Sequence, residues 1–343
     1  MAETLRIALI GAGYFAGFHL EAWQRLKGVE LAAICDLDTG RLAEAKTRAR
    51  AAAVYTDVIA MLDEIKPDLV DIIAPPATHL QLVKETAARG VNTICQKPLA
   101  PNYADALTLV EIAEHSGIVL AVHENIRFTP WHREIAQLLK TEQLGRIFNI
   151  TMRLRPGDGQ GATAYLDRQP YFQQMDRFLI HETAIHWIDT FRFLLGEMVG
   201  VFAHLRRLNP TIAGEDAGHV LFAFENGAIG LFDGNRLNDH VSDNPRRTMG
   251  EMWIEGEHGI LRLDGQGKLW LKPHGGKDAE HHYQWRDYGF AGDCVYATQA
   301  HILKHFQEGA PLETEARAYL RNLDIEEAIY RSAAKQRWIS LNQ

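Results

Sequence analysis

The chain has 343 residues, 46% of them hydrophobic, which is longer than one core usually fills and leads us to expect two domains. Its 36 basic and 44 acidic residues leave a net charge of −8, with no dense basic run, so nucleic acid and anionic membrane surfaces are set aside as partners. Cys35, Cys95 and Cys294 lack metal-ligand spacing and read as reduced thiols; with no leader-type N-terminus and no apolar run near ~18 residues, the expectation is a soluble, cytoplasmic protein without a membrane segment.

Leu5 to Ile10 is a nearly continuous apolar run, the pattern of a parallel strand covered on both faces. Gly11-Ala12-Gly13 ends it, and from Tyr14 onward Phe15, Phe18, Ala22 and Leu26 recur at helical spacing. Such a strand, glycine turn and helix make a phosphate cradle. Gly11 allows the tight turn, Gly13 lets a pyrophosphate approach the backbone, and the small Ala16 lets helix and strand pack closely. The apolar run from Val29 ends in Cys35-Asp36, about 20 residues past Ala16, where a carboxylate accepts hydrogen bonds from the adenosine ribose. Because that carboxylate repels a 2′-phosphate, NAD is expected over NADP.

Residues 39–50 read as a polar helix, Val54-Tyr55 as a strand, 59–65 as a helix stopped at Lys66-Pro67, and 69–74 as a buried strand. Pro75-Pro76-Ala77-Thr78-His79 is then a stiff turn expected to line the cofactor, followed by a helix over 80–89. Residues 91–95 form the next strand, and Gln96-Lys97-Pro98 at its carboxyl end faces the nicotinamide end of a dinucleotide. A helix over 103–116 and a strand over 118–122 complete a doubly wound parallel unit spanning 1–123. His123-Glu124-Asn125 marks the crossover into a second domain, 124–343.

There the pattern changes to a helix at 131–140, a strand at 147–155, a Gly- and Arg-rich loop at 156–168, and an aromatic stretch at 170–177. An amphipathic helix is expected over 179–195. Short alternating runs follow at 199–208, 216–225, 227–235, 248–255, 259–264, 267–272 and 281–286. They predict a large, open, mostly antiparallel sheet with helices on one face and the other free for self-association. Helices at 293–308 and 315–336 end the chain, the last packing back across the domain junction.

Within the 179–195 helix, Glu182, His186 and Asp189 share one face. A carboxylate one turn from an imidazole orients it as a general base for removing a proton from an alcohol. A zinc site is excluded by spacing, because His181 and His186 lie about 140° apart on a helix, and no metal is expected.

Taken together, GAGYFAGFH, AICDLD, IIAPPATH, CQKPLA, HENIRF and HETAIHWIDTFRFLLG resemble the Gfo/Idh/MocA family (glucose-fructose oxidoreductase, inositol dehydrogenase, MocA) over nearly the whole chain. The resemblance implies an α/β fold, an N-terminal Rossmann domain plus a C-terminal α/β domain with an open sheet. It implies NAD or NADP as cofactor, and a sugar, sugar derivative or cyclitol as substrate. It also implies roles for Lys97, Glu182 and His186. The expected reaction moves a hydride between the nicotinamide and a secondary alcohol or ketone, with His186 as acid/base, Glu182 beside it, and Lys97 stabilising the substrate oxygen. Gln96 stands where the family usually has Glu, and Glu182 where Asp is commoner.

Expected cofactor contacts are Gly11, Gly13, Tyr14, Phe15, Ala16, Asp36, Pro75, Pro76, His79, Gln96 and Lys97. Expected substrate contacts are Lys97, Asn125, Arg127, Arg153, Arg155, Tyr165, Arg168, Tyr171, Glu182 and His186. A homo-dimer or homo-tetramer is expected through the open sheet face. The alternatives are a glycoside hydrolase or lyase using tightly bound NAD for transient oxidation, and a nucleotide-binding protein without catalysis.

Overall fold

In the computed structural model, which describes residues 4–49 and 52–341, contacts divide the chain into two units. The first runs up to Asn125 and takes in Val295–Leu323; the second joins Ile126–Cys294 to the chain from Asp324 onward.

In the first unit, β1 (Leu5–Ile10), β2 (Val29–Cys35), β3 (Ala53–Tyr55), β4 (Leu69–Ile72), β5 (Asn92–Gln96) and β6 (Leu120–His123) pair only in parallel, in the order β3-β2-β1-β4-β5-β6. Helices α1 (Ala16–Arg25), α2 (Thr39–Arg48), α3 (Val58–Ile65), α4 (Pro76–Ala87) and α5 (Tyr103–Ser116) supply the crossovers that parallel pairing requires. Burial on both faces explains the unbroken apolar strands. The core joins Ile7, Leu9, Trp23, Ile34 and Ile94 to Ile302 from the later segment. Strand order reverses between β1 and β4, so the crevice at their carboxyl ends is a topological switch point.

Several boundaries differ from the sequence reading, strand β4 ending at Ile72 and β6 starting at Leu120. Helix α4 starts at Pro76 rather than at Leu80, because proline is tolerated at a first helical position, where its missing N–H is not needed. His79 therefore lies in the helix's first turn, not in a loop before it. Helix α2 ends at Arg48, capped at its start by Asp38 accepting from the Gly40 and Arg41 N–H groups; Arg50 lies outside the described residues.

In the second unit, α6 (Pro130–Lys140) leads to β7 (Ile147–Leu154), a 3₁₀ turn (Pro170–Gln174), a π-helical turn (Leu179–Ala184) and α7 (Ile185–Leu195). There follow β8 (Met198–Arg206), β9 (Ala217–Phe224), β10 (Ile229–Asn235), β11 (Gly250–Gly256), β12 (Gly259–Leu263), β13 (Leu269–Pro273) and β14 (Ala279–His281). Helices α8 (Cys294–Glu308) and α9 (Ala316–Lys335) and strand β15 (Ile339–Ser340) end the described chain. The nine-stranded order is β14-β13-β12-β11-β7-β10-β9-β8-β15, with only β7 and β10 parallel. Inner-face residues meet α7, with Trp187 against Phe232 and Phe191 edge-on to Phe222.

The strand expected over 281–286 is instead Ala279–His281. Beyond it, side chains hold the chain without a ladder: the Tyr283 hydroxyl donates to the Gly267 carbonyl, and Trp285 packs edge-on to Trp131 at 5.7 Å.

The helix expected to be amphipathic is buried throughout residues 180–191, and its first six residues wind as a π-turn. The cause lies outside the segment. Glu215 accepts from the Phe178 and Ile180 N–H groups through Oε1, its carbonyl takes the Leu179 N–H, and Tyr330 donates to the same carboxylate. Helix α9 supplies that tyrosine. Burial raises the Glu215 pKa against these hydrogen bonds.

Candidate active-site residues

The crevice of the first unit is built on the Gly11–Ala16 turn. Gly11 has φ +107°, and a Cβ there would lie 2.2 Å from the Ile73 carbonyl oxygen, so only glycine fits. A Cβ on Gly13, by contrast, would meet no protein atom within 4 Å. That open space lies at the start of α1, where no side chain caps the first-turn N–H groups. A phosphate is the natural occupant of such a terminus. Beside the turn is a shallow recess, lined in part by Gly11, Gly13, Ala16, Arg41, Glu44 and Arg48. Sequence reasoning missed Arg41 and Arg48; their spacing of seven on one helix face was the available signal.

Asp36 extends the end of β2. Its Oδ2 accepts the Ala12 N–H at 2.6 Å and its Oδ1 the Asp38 N–H at 2.9 Å. Each carboxylate oxygen keeps a further lone pair, which is what two ribose hydroxyls require. The residues present thus fit a dinucleotide. Tyr14 is 44% exposed and packs edge-on to Phe18, while Phe15 packs against Phe18 and His19. The neighbouring Cys35 thiol is pushed up to about 11, by burial first and then by Asp36 and Asp57, so it stays a protonated, inert core residue. Pro75 precedes α4 as its capping residue and Pro76 opens the helix.

His79, expected to touch cofactor, is fully buried. Its Nδ1 lies 3.0 Å from the Leu99 carbonyl oxygen and its Nε2 2.8 Å from that of Ala74. It therefore lies between the segment after Lys97 and the segment after β4, its single N–H in the neutral ring donating to one of the two carbonyls. Lys97 itself stands one residue beyond β5, half-buried, with its N–H donated to the Gln96 side-chain oxygen at 2.9 Å. Gln96 is buried and points inward to His19, which corrects the expectation that it touches cofactor.

In the second unit, Glu182 lies in the π-turn and His186 in the first turn of α7, both more than nine-tenths buried. Asp189, on the same helix, receives a bidentate pair from Arg127, with Nε and Nη2 each at 2.6 Å. The neighbouring His181 is bound to Glu326 at 2.7 Å through Nδ1.

The loop residues expected to bind substrate have mostly internal partners. Arg155 is buried and donates to the Leu154 and Asp233 carbonyls and to the Asp233 carboxylate. Arg168 is ion-paired with Asp158, and Tyr165, 2% exposed, sits among Phe172 and Phe178. Arg153 lies on the outer sheet face opposite Glu251 at 3.3 Å. Arg155 and Arg168 shape the loop and sheet, because a largely buried guanidinium must find acceptors where it is, whereas the Arg153 side chain is 51% exposed. Tyr171 differs. Its ring is 44% exposed, while enclosure of its hydroxyl and the Glu182 charge raise its pKa. Asn125, at the end of the first unit, is buried.

The centre of the loop is a residue that sequence reasoning passed over. Arg236 donates to both Asp158 oxygens, at 3.1 and 2.6 Å, and to Thr183 Oγ1 at 2.6 Å, with its guanidinium over the Tyr165, Phe172 and Phe178 rings. It ties the loop to the π-turn that carries Glu182. Nothing near Arg236 in sequence marks it, since its partners lie 53 and 78 positions away.

Comparison with known proteins adds an independent line. Residues 5–124 match the family described as an oxidoreductase family with an NAD-binding Rossmann fold, and residues 132–262 match the GFO/IDH/MocA C-terminal domain. A D-apiose dehydrogenase of Paraburkholderia graminis is 32% identical, covering 97% of this chain and 89% of its own. An inositol 2-dehydrogenase of an Arthrobacter species is 28% identical over 67% of this chain and 66% of its own. An oxidoreductase from Agrobacterium radiobacter, solved with NAD+, L-tartaric acid and magnesium, is 30% identical with a TM-score of 0.89, covering 98% of both chains.

Burial lowers the His79 pKa, although the Ala74, Leu99 and Pro98 carbonyls oppose it. The folded chain thus resists protonation at a ring that the unfolded chain protonates near pH ~6.5, so this stabilisation is complete above that value and is lost as pH falls below it. Expected for His79→Gln is a lower Tm than wild type at pH 7.5, with the gap narrowing on going to pH 5.5. Thermal melts showing a gap that is constant or widens would contradict the assignment.

Proposed function

Because the chain belongs to the Gfo/Idh/MocA family of NAD-binding oxidoreductases, we propose that it is a dehydrogenase oxidising a secondary hydroxyl of a small sugar or cyclitol, with NAD as the preferred acceptor. The observation that carries the cofactor assignment is the unfilled space over Gly13 beside a carboxylate, Asp36, already oriented by the Ala12 N–H. Gly11, Gly13 and the start of α1 would hold the pyrophosphate, and Asp36 the ribose hydroxyls, where a 2′-phosphate would meet its charge. When bound, the nicotinamide supplies the hydride acceptor.

The chain's own residues supply position and proton transfer. Lys97 donates a hydrogen bond to the substrate oxygen and stabilises the negative charge that grows on it. His186 takes the hydroxyl proton, and Glu182, four residues earlier, holds the imidazole and compensates its charge. Tyr171, whose hydroxyl lies within the field of Glu182, and Asn125 contact the sugar hydroxyls. A small sugar is favoured by the D-apiose dehydrogenase relative, which matches over nearly the full chain, and a cyclitol by the inositol 2-dehydrogenase relative.

The outer face of the nine-stranded sheet is the surface for self-association. Phe202, Leu221, Leu231, Thr151 and Trp253 succeed one another across β8, β9, β10, β7 and β11, and Leu221 and Trp253 are 38% and 42% exposed. A second copy of the chain is the partner we assign to it.

Lys97→Ala and His186→Ala should each keep NADH binding, followed by nicotinamide fluorescence, while losing most turnover on a sugar and cyclitol panel; near wild-type rates in both would remove the mechanism. Gly13→Ala should fold normally yet bind NAD more weakly, and Asp36→Ala should narrow the preference for NAD over NADP; unchanged Kd values for both cofactors would reject the cradle. Trp253→Asp should shift the particle mass measured by light scattering toward the monomer, and a wild type that is already monomeric would refute the interface.

A further inference from the structure

A buried polar cluster in the first unit lies behind Lys97 and outside the groups assigned to substrate and cofactor. Asp71 interrupts the apolar strand β4, and His19 and Trp23 reach it from α1. His19, Asp71 and His123 are fully buried, Trp23 is 1% exposed and Gln96 7%. Polar groups this deep persist only where each donor finds its acceptor.

One backbone group fixes the direction of the whole set. The Lys97 N–H can only donate, and its acceptor is the Gln96 side-chain oxygen at 2.9 Å. The Gln96 amide nitrogen must then be the atom 2.9 Å from His19 Nε2. An amide nitrogen only donates, so Nε2 accepts and carries no proton. The ring proton is therefore on Nδ1, which lies 2.7 Å from Asp71 Oδ2, the same oxygen that takes the Trp23 indole N–H at 2.8 Å. The Lys97, Gln96 and His19 donors all point one way, from the Lys97 main chain to the Asp71 carboxylate, on which the Trp23 indole converges separately, and serial bonds of this kind strengthen one another.

We infer that Trp23, Asp71, His19 and Gln96 form a hydrogen-bond relay of fixed polarity that holds the main chain at Lys97, with Gln96 as the positioning residue that sets the His19 tautomer. The kinetic consequence rests on the assignment of Lys97 to the substrate oxygen; the tautomer does not. Other side chains enclose the ring. His123, from β6, stacks on His19 with centroids 4.0 Å apart, and its Nδ1 lies 3.5 Å from the Gln96 nitrogen. Phe15 covers another edge at 5.5 Å, and Gln299, from α8, donates to the His19 carbonyl at 3.3 Å, away from the ring. The fully buried Cys95 thiol is raised well above its usual range by burial and by the Asp71 charge, and so is protonated.

Glutamate at position 96 has nearly the same shape and no donor. Its second oxygen would face the bare Nε2 lone pair, and the ring would have to take a second proton between two carboxylates or turn from one of them. Either response moves the groups that hold Lys97.

Long-range ¹H–¹⁵N correlation on histidine-labelled protein, assigned by backbone-to-ring transfer, reads the tautomer directly. The expected result at pH 7 is a neutral His19 with its proton on Nδ1. Asp71→Asn, which keeps an acceptor oxygen without the charge, retains that form, because the amide at 96 dictates it. Gln96→Glu turns the ring to imidazolium and lowers kcat on the order of 100-fold with the sugar KM held, the cost of a small misplacement of a reacting group. An Nε2–H or doubly protonated wild-type ring overturns the relay, as does an unchanged ring in Gln96→Glu. If Gln96→Glu does not fold, the wild-type and Asp71→Asn spectra decide the question. A shifted ring with unchanged kcat overturns the positioning role, whereas a fully active Lys97→Ala overturns the Lys97 assignment and leaves the tautomer result standing.

Discussion

The main chain at Gly11 runs so close to that of Ile73 that no side chain fits between them, and the first unit is organised around this approach. It occurs where the strand order reverses, between β1 and β4. Because both strands end there, the turn after β1, the carboxylate after β2 and the proline segment after β4 come to one edge of the sheet. A residue with a Cβ at position 11 would push β4 away and open that edge. The same closeness leaves Gly13 facing outward with nothing against it, so one constraint supplies both a rigid floor and an open cradle.

Behind that edge, polar groups are buried in bonded sets rather than singly. His79 lies between carbonyls of the segments after β4 and β5, and the Asp71–His19–Gln96 chain joins β4, α1 and β5. The second unit uses the same device at larger scale. Arg236 with Asp158 and Thr183, Arg127 with Asp189, His181 with Glu326, and Glu215 with Tyr330 surround the segment that carries Glu182 and His186. Removing one partner of such a pair strands a buried charge, at a cost of about 3–5 kcal/mol. These pairs therefore confine the backbone around Glu182 and His186 to one arrangement, at the expense of tolerance to substitution.

Much of this was legible in the chain itself. Period-two and continuous apolar runs, glycine turns and the position of Asp36 mark the parallel sheet, the open sheet and the dinucleotide cradle, because those features depend on neighbours in sequence. Lys97 and the Glu182–His186 pair are marked by their positions at a strand end and along a helix. The partners of the arginines and histidines are not. Arg155, Arg168 and Tyr165 look like ligand contacts on a polar loop, yet the fold supplies acceptors to the arginines and aromatic neighbours to the tyrosine, for Arg155 from 78 positions away. The π-turn at Leu179–Ala184 is likewise invisible locally, since Glu215 and Tyr330 impose it from 35 or more positions away.

By itself, then, the sequence determined the kinds of element, their order, and the residue types at the strand ends of the dinucleotide-binding fold. Only the tertiary structure decided which polar side chains remain available for a ligand and which are committed inside. Periodicity records whether a residue is turned toward a core. It carries no record of the donor or acceptor waiting there, and that pairing, reached across 53 to 78 residues, is what assigns Gln96, Arg155 and Arg236 their work.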